Sequence, residues 1–325
     1  MRTTPILLSL SLSLTVSLLA ACGDDDDART PGACVSSADC ARGAMCVDSA
    51  CVPRIDAGFD AGREPPDAGP TVDFGAPDQG PMCVATETPE RMCNGLDDDC
   101  NGAIDDIDVA GDGLCDCLQI GVMGNPGSLA SSSFQAWLEA RGTSVTRFGV
   151  DGTPLTAGQL AAFDVVILDR LVREYSAEEA AVLRDFVAAG GGVMAMTGYD
   201  GSGADRTRPN GLFVGLGVEY LSDLRNGPVT MFDSHPLTES LSSVTFAGGY
   251  RVGEIMGTPG TRTTVARLAD GAAGVAVELG EGRAFIWGDE WIQFDSQWSS
   301  MPQITQLWVN VLSWLGPRDR CVVLL

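Results

Sequence analysis

The hydrophobic pattern of the chain is clearest over residues 163–201, where it predicts a strand, a helix and a second strand in succession. Residues 164–169 form a short apolar run rich in β-branched side chains, which is typical of a strand buried on both faces. Ser176 and Glu179 have the spacing of a capping box, and the apolar residues that follow recur at helical intervals until a run of three glycines. Residues 193–196 are the next buried strand. This succession predicts a βαβ unit, and hence a parallel sheet with helices on both faces.

The same kind of pattern continues through residues 118–325. Strands are predicted at 118–123 and 144–148, and helices at 128–140 and 303–315. Five later apolar runs, joined by Gly or Pro turns, predict an antiparallel extension of the sheet: 229–232, 244–246, 263–268, 274–279 and 283–287. The predicted fold class is therefore α/β, with a mainly parallel sheet.

The first 21 residues predict a targeting segment. Arg2 is followed by an apolar run over residues 6–19, which is too short to span a bilayer. The run ends in Leu-Ala-Ala-Cys22, which resembles the lipobox of bacterial lipoproteins. That resemblance implies lipidation of Cys22 and a lipid-anchored protein of the cell envelope, at the outer membrane; the alternative is an ordinary signal peptide.

Composition narrows the choice of partners. The net charge of −24 argues against nucleic acid, because phosphate would be repelled. All 20 cationic residues are arginine, which excludes a Schiff-base lysine and a P-loop lysine. Of the 11 cysteines, ten remain after Cys22, so five disulfides are possible in an oxidising compartment.

Two small segments and a linker precede the first strand of the α/β region. Residues 22–33 predict an acidic spacer. Residues 34–53 resemble short Cys-rich repeats of exported lipoproteins and are too few to bury a core, so disulfides must hold them. We predict Cys34–Cys46 and Cys40–Cys51, with other connectivities open and a zinc site as the rival. Residues 54–82, rich in Asp, Ala, Gly and Pro, predict a disordered stalk.

The segment 83–117 contains an acidic loop with the spacing of an EF-hand calcium loop. The predicted ligands at positions 1, 3, 5, 7, 9 and 12 are Asp97, Asp99, Asn101, the Ala103 carbonyl, Asp105 and Asp108. Aspartate at position 12, where glutamate is usual, predicts weak affinity. The segment also resembles the metal-binding motif of the MopE type, which implies copper as the alternative to Ca²⁺. A loop without metal is the third possibility.

The order of elements from residue 118 to about 316 resembles the class I glutamine amidotransferase-like fold, a flavodoxin-like architecture. In true amidotransferases the strand after the crossover helix delivers a cysteine nucleophile. Here Thr197 or Gly198 is at that place, and no cysteine lies between Cys117 and Cys321. His235, the single histidine, precedes a proline and is interpreted as stabilising a turn. The resemblance therefore implies a non-catalytic domain that serves binding or interaction.

A binding crevice is expected at the carboxyl ends of the parallel strands. The residues predicted to line it are Asn125, Asp169, Arg170, Thr197, Tyr199, Asp289, Glu290 and Trp291. A cell-envelope glycan or protein is the expected partner. The alternative function is a hydrolase of envelope carbohydrate that uses Asp289 or Glu290, although adjacent residues of a strand point to opposite faces.

The last predicted feature is a closing disulfide. The helix ending near residue 315 should finish beside the start of the first strand, because crossover helices run back toward that edge of the sheet. Cys321 follows that helix, and Cys117 immediately precedes the strand. We predict Cys117–Cys321, with Cys115 as the second choice.

Overall fold

The computed structural model of the chain describes residues 44–47, 50–53, 83–198, 201–301 and 303–322. The strands are β1 (Ala44–Val47), β2 (Ala50–Pro53), β3 (Gln119–Met123), β4 (Ser144–Phe148), β5 (Val165–Leu168), β6 (Gly192–Ala195), β7 (Val218–Asn226), β8 (Met231–Phe232), β9 (Ala247–Glu254), β10 (Thr261–Leu268), β11 (Gly271–Leu279) and β12 (Gly282–Trp287). The α-helices are α1 (Ser132–Glu139), α2 (Ala157–Leu160), α3 (Ala177–Ala188), α4 (Ala204–Phe213), α5 (Asp295–Trp298) and α6 (Gln303–Leu315). In the ranges just given, no helix is both long and apolar enough to cross a membrane.

Several predicted features lie outside the described residues: the targeting segment 1–21, Cys22, the spacer 22–33, Cys34, Cys40, the stalk 54–82 and Tyr199. Of the segment 34–53 the structure describes an antiparallel pair of β1 with β2, in which Cys46 is opposite Cys51.

Ten strands form one sheet in the order β4-β3-β5-β6-β12-β11-β10-β8, and β9 links β11 to β7. The pairs from β4 to β12 are parallel, whereas the remaining pairs are antiparallel. Counted along the chain, the five parallel strands have the order 2-1-3-4-5, which is the flavodoxin-like order. The predicted α/β fold class is confirmed.

The strand at 283–287 lies elsewhere in the sheet than predicted. The pattern places it in the antiparallel extension, but β12 pairs in parallel with β6 and antiparallel with β11, so it joins the two halves. An apolar run suits either position, and periodicity alone does not distinguish them. Strands β7 and β9, which no predicted element covers, complete the antiparallel half.

Two hydrophobic cores cover the two faces of the parallel strands. Alternate residues of β5 enter different cores, as the two-residue period of a strand requires: Val165 and Ile167 pack with Trp308 of α6, and Val166 and Leu168 with Leu183 of α3. Helices α1 and α6 therefore lie on one face, and α3 and α4 on the other.

The two predicted helix starts have different outcomes. The capping box of α3 forms as predicted, with the Ser176 hydroxyl accepting the Glu179 amide and the Glu179 carboxylate accepting the Ser176 amide. Helix α1, by contrast, begins at Ser132 and not at Ser128. The Ser128 hydroxyl donates instead to Glu290. Leu129, which lies in the predicted helix but not in the observed one, is 49% exposed.

Three disulfides hold the described residues between 83 and 321. They are Cys83–Cys100, Cys93–Cys117 and Cys115–Cys321. The predicted pair Cys117–Cys321 is wrong, because Cys321 is bonded to Cys115, the second choice, and Cys117 is bonded to Cys93. The chain turns at residues 116–117, so the two neighbouring thiols face different loops. The Cys321 amide donates to the Ile104 carbonyl at 2.7 Å, and the Cys115 sulfur lies 3.1 Å from the next carbonyl oxygen, of Asp105.

The expected position of the last helix is confirmed. The Ser313 hydroxyl of α6 donates to the Gly113 carbonyl at 3.2 Å, and Arg320 forms an ion pair with Asp164, just before β5. Arg141, after α1, pairs with Asp112 at 2.5 Å. These contacts and the Cys115–Cys321 disulfide attach the segment 83–117 to the α/β domain.

Candidate functional site

The predicted crevice residues follow the parallel strands at one edge of the sheet. Asp169 comes directly after β5, Thr197 shortly after β6, and Asp289 shortly after β12. Arg170 is tied to the loop after β3, because its carbonyl accepts the Asn125 amide at 2.8 Å. The sheet therefore brings these residues to a common edge, as predicted.

Glu290 is a buried carboxylate of this edge. The Ser128 hydroxyl donates to its Oε1 at 3.0 Å. A Cβ atom built on Gly198 would lie 2.0 Å from the same oxygen, and one on Gly127 would lie 3.0 Å from Oε2. The carboxylate is thus packed against two glycines, and a side chain at either position would require neighbouring side chains to shift. Burial raises the pKa of Glu290, and the charges of Asp169 and Asp205 raise it further, while the Ser128 hydrogen bond lowers it.

Asp169 is buried in a separate polar network. Gln293 donates to its Oδ1 at 2.9 Å, and Arg147 of β4 donates to its Oδ2 at 3.1 Å. Burial raises the pKa of Asp169 even though both of these hydrogen bonds, and the arginine charge, act to lower it. Neither Gln293 nor Arg147 was predicted from the sequence, because no local pattern around either residue indicates a contact with the end of β5.

Asp289 and Glu290 have different partners, but they do not lie on a strand as predicted, because β12 ends at Trp287. Its Oδ2 accepts the Ala247 amide at 2.5 Å, and its Oδ1 accepts the Trp291 amide at 3.3 Å. Its side chain is completely buried. Burial raises the pKa of Asp289 to about 8, although the two backbone hydrogen bonds act in the opposite direction. Trp291 is half-buried and packs edge-on against Phe294, with 5.9 Å between ring centroids.

The described part of the crevice is almost filled. A cavity of about 10 Å³ is lined by Asp169, Arg170, Leu171, Met196, Thr197, Gly198, Asp205, Pro209 and Glu290. A water molecule needs about 10–15 Å³ of this kind of space, so a single water fits and a sugar does not. The Thr197 hydroxyl donates to the Asp205 carbonyl. Because its proton is used in this hydrogen bond, the hydroxyl cannot donate to a ligand in the cavity.

The position that the resemblance assigns to a nucleophile is that of Thr197, whose hydroxyl donates to the Asp205 carbonyl, or of Gly198. Gly198 has no side-chain atoms, and the space beside it is occupied by the Glu290 carboxylate. His235 lies at another place in the fold, where its Nδ1 accepts the Leu237 amide at 3.2 Å and caps the short helix Pro236–Thr238. Its ring packs edge-on against Trp314, and burial lowers its pKa. The turn-stabilising role predicted for His235 is confirmed.

The acidic loop forms in part as predicted. Asp97 accepts the Asn101 amide at 3.1 Å and the Gly102 amide at 3.0 Å, and Asp99 accepts the Asn101 amide at 3.1 Å. The Asn101 side chain accepts the Ala103 amide at 2.7 Å. Gly102 has a φ of +93°, the left-handed conformation expected at position 6. The first three predicted ligands therefore surround one turn.

The last two predicted ligands face other loops. Asp105 is buried and accepts the amides of Asn94 and Gly95, at 2.8 and 2.9 Å. Asp108 accepts the amides of residues 111, 112 and 113, at 2.7–3.1 Å. Among the residues that the structure describes, no three Asp, Glu, His or Cys side chains are placed to hold a metal ion. The acidic loop thus fits a calcium ion only in its first half.

A larger groove lies beside this loop and was not predicted. Its volume is about 370 Å³, and it is lined by Pro89, Glu90, Arg91, Asp99, Asn101, Asp106, Ile107, Asp108 and Val109. The sequence offers little signal for it, because its two walls are some fifteen residues apart and are brought together by Glu90.

Comparison with known proteins gives fold-level similarity alone. No protein-family description and no curated protein matches the chain. Among solved structures, a cytoplasmic protein from Salmonella typhimurium is similar at 16% identity, with 62% of this chain and 100% of that chain covered and a TM-score of 0.49. A ThuA-like protein from Bacteroides uniformis is similar at 13% identity, over 62% of this chain and 92% of that chain, with a TM-score of 0.44. A GMP synthase subunit from Thermoplasma acidophilum is similar at 10% identity, over 60% of this chain and 92% of that chain, with a TM-score of 0.39.

Proposed function

We propose that this chain is an exported, lipid-anchored binding protein of the cell envelope, located at the outer membrane, and that its amidotransferase-like domain has no catalytic activity. The observation that carries the second part is the packing at Gly198. The Glu290 carboxylate occupies the space in which a nucleophile's side chain would begin, and the adjoining cavity has room for about one water molecule. The described residues leave no room for a reacting substrate in this cavity, and we therefore assign the domain to binding or interaction, with an envelope protein or glycan held outside the cavity as the partner.

An activity assay tests the non-catalytic domain. We expect the full chain in detergent to release neither ammonia from glutamine nor nitrophenol from a panel of nitrophenyl glycosides above the buffer rate. Glu290→Gln should be indistinguishable from the wild type, because Glu290 is a packing residue in this proposal. Turnover that Glu290→Gln abolishes, and that the exposed control Glu254→Gln retains, would instead establish the carbohydrate hydrolase.

The lipid anchor is supported by the order of features at the N-terminus. A positive residue, an apolar run and a small-residue site precede Cys22. The three disulfides of the described residues suit export to an oxidising compartment. Acyl chains on Cys22 contribute about 0.8 kcal/mol per buried CH₂, which is enough for stable anchoring when more than one chain is attached.

We expect Cys22→Ala to move the protein from the membrane fraction to the soluble fraction, because the acyl chains would have no attachment point. The measurement is an immunoblot of fractionated cells. Ser17→Ala, which changes the apolar run but leaves the cysteine, should remain with the membranes. A Cys22→Ala protein that still pellets with membranes is incompatible with the lipid anchor.

We also propose that the acidic loop binds Ca²⁺, with copper as the alternative. Asp97, Asp99 and Asn101 supply hard oxygen donors around one turn, and hard oxygens are what Ca²⁺ selects. Asp105 and Asp108 would have to leave their amide partners to join them. That cost makes the affinity weak, in the range of about 10⁻⁴–10⁻³ M that extracellular calcium modules show.

A further inference from the structure

The unpredicted groove beside the acidic loop has fixed walls. One wall is the segment 89–91, and the other is the segment 106–109. Glu90 joins them, because its carboxylate accepts the Asp98 amide at 2.9 Å and the Asp106 amide at 2.8 Å. The Cys83–Cys100 and Cys93–Cys117 disulfides close the same segment. A preformed groove loses little conformational entropy when it binds a ligand.

Its size and lining differ from those of the crevice in the α/β domain. The volume of about 370 Å³ lies within the range of about 300–1,000 Å³ that ligand sites occupy. Pro89, Ile107 and Val109 provide apolar surface, and Val109 is 82% exposed. The groove can therefore bury an apolar group about the size of one side chain.

The negative charge of the groove determines which kind of ligand it can bind. Asp99, Asp106 and Asp108 line it and are each partly exposed. None of these three carboxylates has an ion pair with any residue that the structure describes, whereas Asp112, a few residues further on, is paired with Arg141. Arg91 is the single cationic residue among those that line the groove. The three carboxylates accept hydrogen bonds from within the segment, Asp99 and Asp106 from Asn101 and Asp108 from the amides of residues 111–113, but these neutral donors leave their negative charge unbalanced. A cation at the end of an apolar stem matches this combination of apolar wall and negative charge.

We propose that this groove binds the arginine or lysine side chain of a basic protein partner. The stem would lie along Ile107 and Val109, and the cationic group would lie between Asp106 and its acidic neighbours. The inference rests on the proposed binding function and names its partner class, but it depends neither on the lipid anchor nor on the absence of catalysis.

The groove shares Asp99, Asn101 and Asp108 with the proposed calcium loop, and two other residues distinguish the two sites. Asp106 lines the groove and is not among the predicted calcium ligands, whereas Asp97 is a predicted calcium ligand and does not line the groove. Asparagine at 106 keeps an oxygen that can accept the Asn101 side-chain amide, whereas asparagine at 97 keeps one oxygen for the two amides of Asn101 and Gly102 and loses one hydrogen bond. The Cys83–Cys100 and Cys93–Cys117 disulfides hold the segment in both variants, which are expected to fold.

The test is a titration of the full chain in a nonionic detergent with acetyl-Leu-Arg-Leu-amide carrying an uncharged fluorescent label. Fluorescence anisotropy is followed, and the same peptide with citrulline in place of arginine supplies the neutral comparison. We expect the arginine peptide to bind about five-fold more tightly than the citrulline peptide, and Asp106→Asn to weaken it about three-fold, as for partly exposed charge pairs. Asp97→Asn and Glu254→Gln should leave its affinity unchanged. Higher salt should weaken it.

Three results would overturn the proposal. Equal binding of the arginine and citrulline peptides would mean that no cation is recognised. Equal weakening by Asp106→Asn and Glu254→Gln would mean that the overall negative charge attracts the peptide. The third result comes from calorimetry with Ca²⁺ alone. The heat of Ca²⁺ binding should disappear in Asp97→Asn and persist in Asp106→Asn. The reverse pattern would mean that the groove is a metal site. Failure of the activity or fractionation experiments would leave all three readouts unchanged.

Discussion

Removal of the Cys115–Cys321 disulfide is expected to lower the free energy of unfolding by about 5 kcal/mol, measured by urea denaturation of Cys115→Ala/Cys321→Ala. The two cysteines are 206 residues apart, and the chain-entropy model assigns about 5 kcal/mol to a loop of that length. Alanine is chosen because Cys115 is buried, and a serine hydroxyl there would add a cost of its own.

A shorter disulfide supplies the control. Cys83–Cys100 closes a separation of 17 residues, for which the same model gives about 3 kcal/mol. Cys83→Ala/Cys100→Ala should therefore be the milder double variant by about 2 kcal/mol. Equal losses, or a larger loss from the short loop, would mean that the Cys115–Cys321 link does not hold the two ends of the domain together. The pairing itself is checked by peptide mapping under non-reducing conditions.

The difference between the predicted and observed disulfide shows what sequence patterning can decide. The order of strands and crossover helices correctly places the end of α6 beside the start of β3, so the closure near residue 117 could be predicted. Two cysteines lie two residues apart, and which of them makes the bond depends on a turn at residues 116–117 and on a single hydrogen bond, from the Cys321 amide to the Ile104 carbonyl. Neither contact leaves a periodic signal in the sequence.

At the candidate sites, too, interactions between residues close in sequence were predicted correctly, whereas interactions between distant residues were not. The capping box of α3 and the turn around Asp97 involve residues at most five apart, and both form as predicted. Ser128 looks like a helix cap by local criteria, yet Glu290, 162 residues away, accepts its hydrogen bond. Asp105 fits the calcium spacing, yet the amides of residues 94 and 95 bind it. In each case a tertiary partner competes successfully with the local pattern.

Asp289 is expected to make the free energy of unfolding fall between about pH 4 and pH 8. Burial raises the pKa of this carboxyl to about 8 in the folded chain, whereas an unfolded aspartate has a pKa of about 3.9. Between these values the folded state binds one more proton than the unfolded state, so the free energy of unfolding decreases as pH rises. The contribution is complete below about pH 4 and lost above about pH 8. At 1.36 kcal/mol per pKa unit, a shift of about four units corresponds to an upper figure of about 5 kcal/mol.

Asp289→Asn should remove this pH dependence, because asparagine stays neutral and can still accept the Ala247 amide. Urea denaturation of both proteins from pH 5 to pH 9 gives the difference in unfolding free energy at each pH. Glu290 and Asp169 also have raised pKa values, and the part of their contributions that does not depend on Asp289 cancels in that difference. The Glu290 charge is itself one cause of the raised pKa of Asp289, so this coupling belongs to the measured effect. We expect the variant to gain relative to the wild type by about 1 kcal/mol per pH unit up to pH 8 and to change little above it. The exposed Asp185→Asn serves as the matched control and should show a flat difference. A flat difference for Asp289→Asn as well would mean that Asp289 is ionised throughout, with its two amide hydrogen bonds outweighing the cost of its burial.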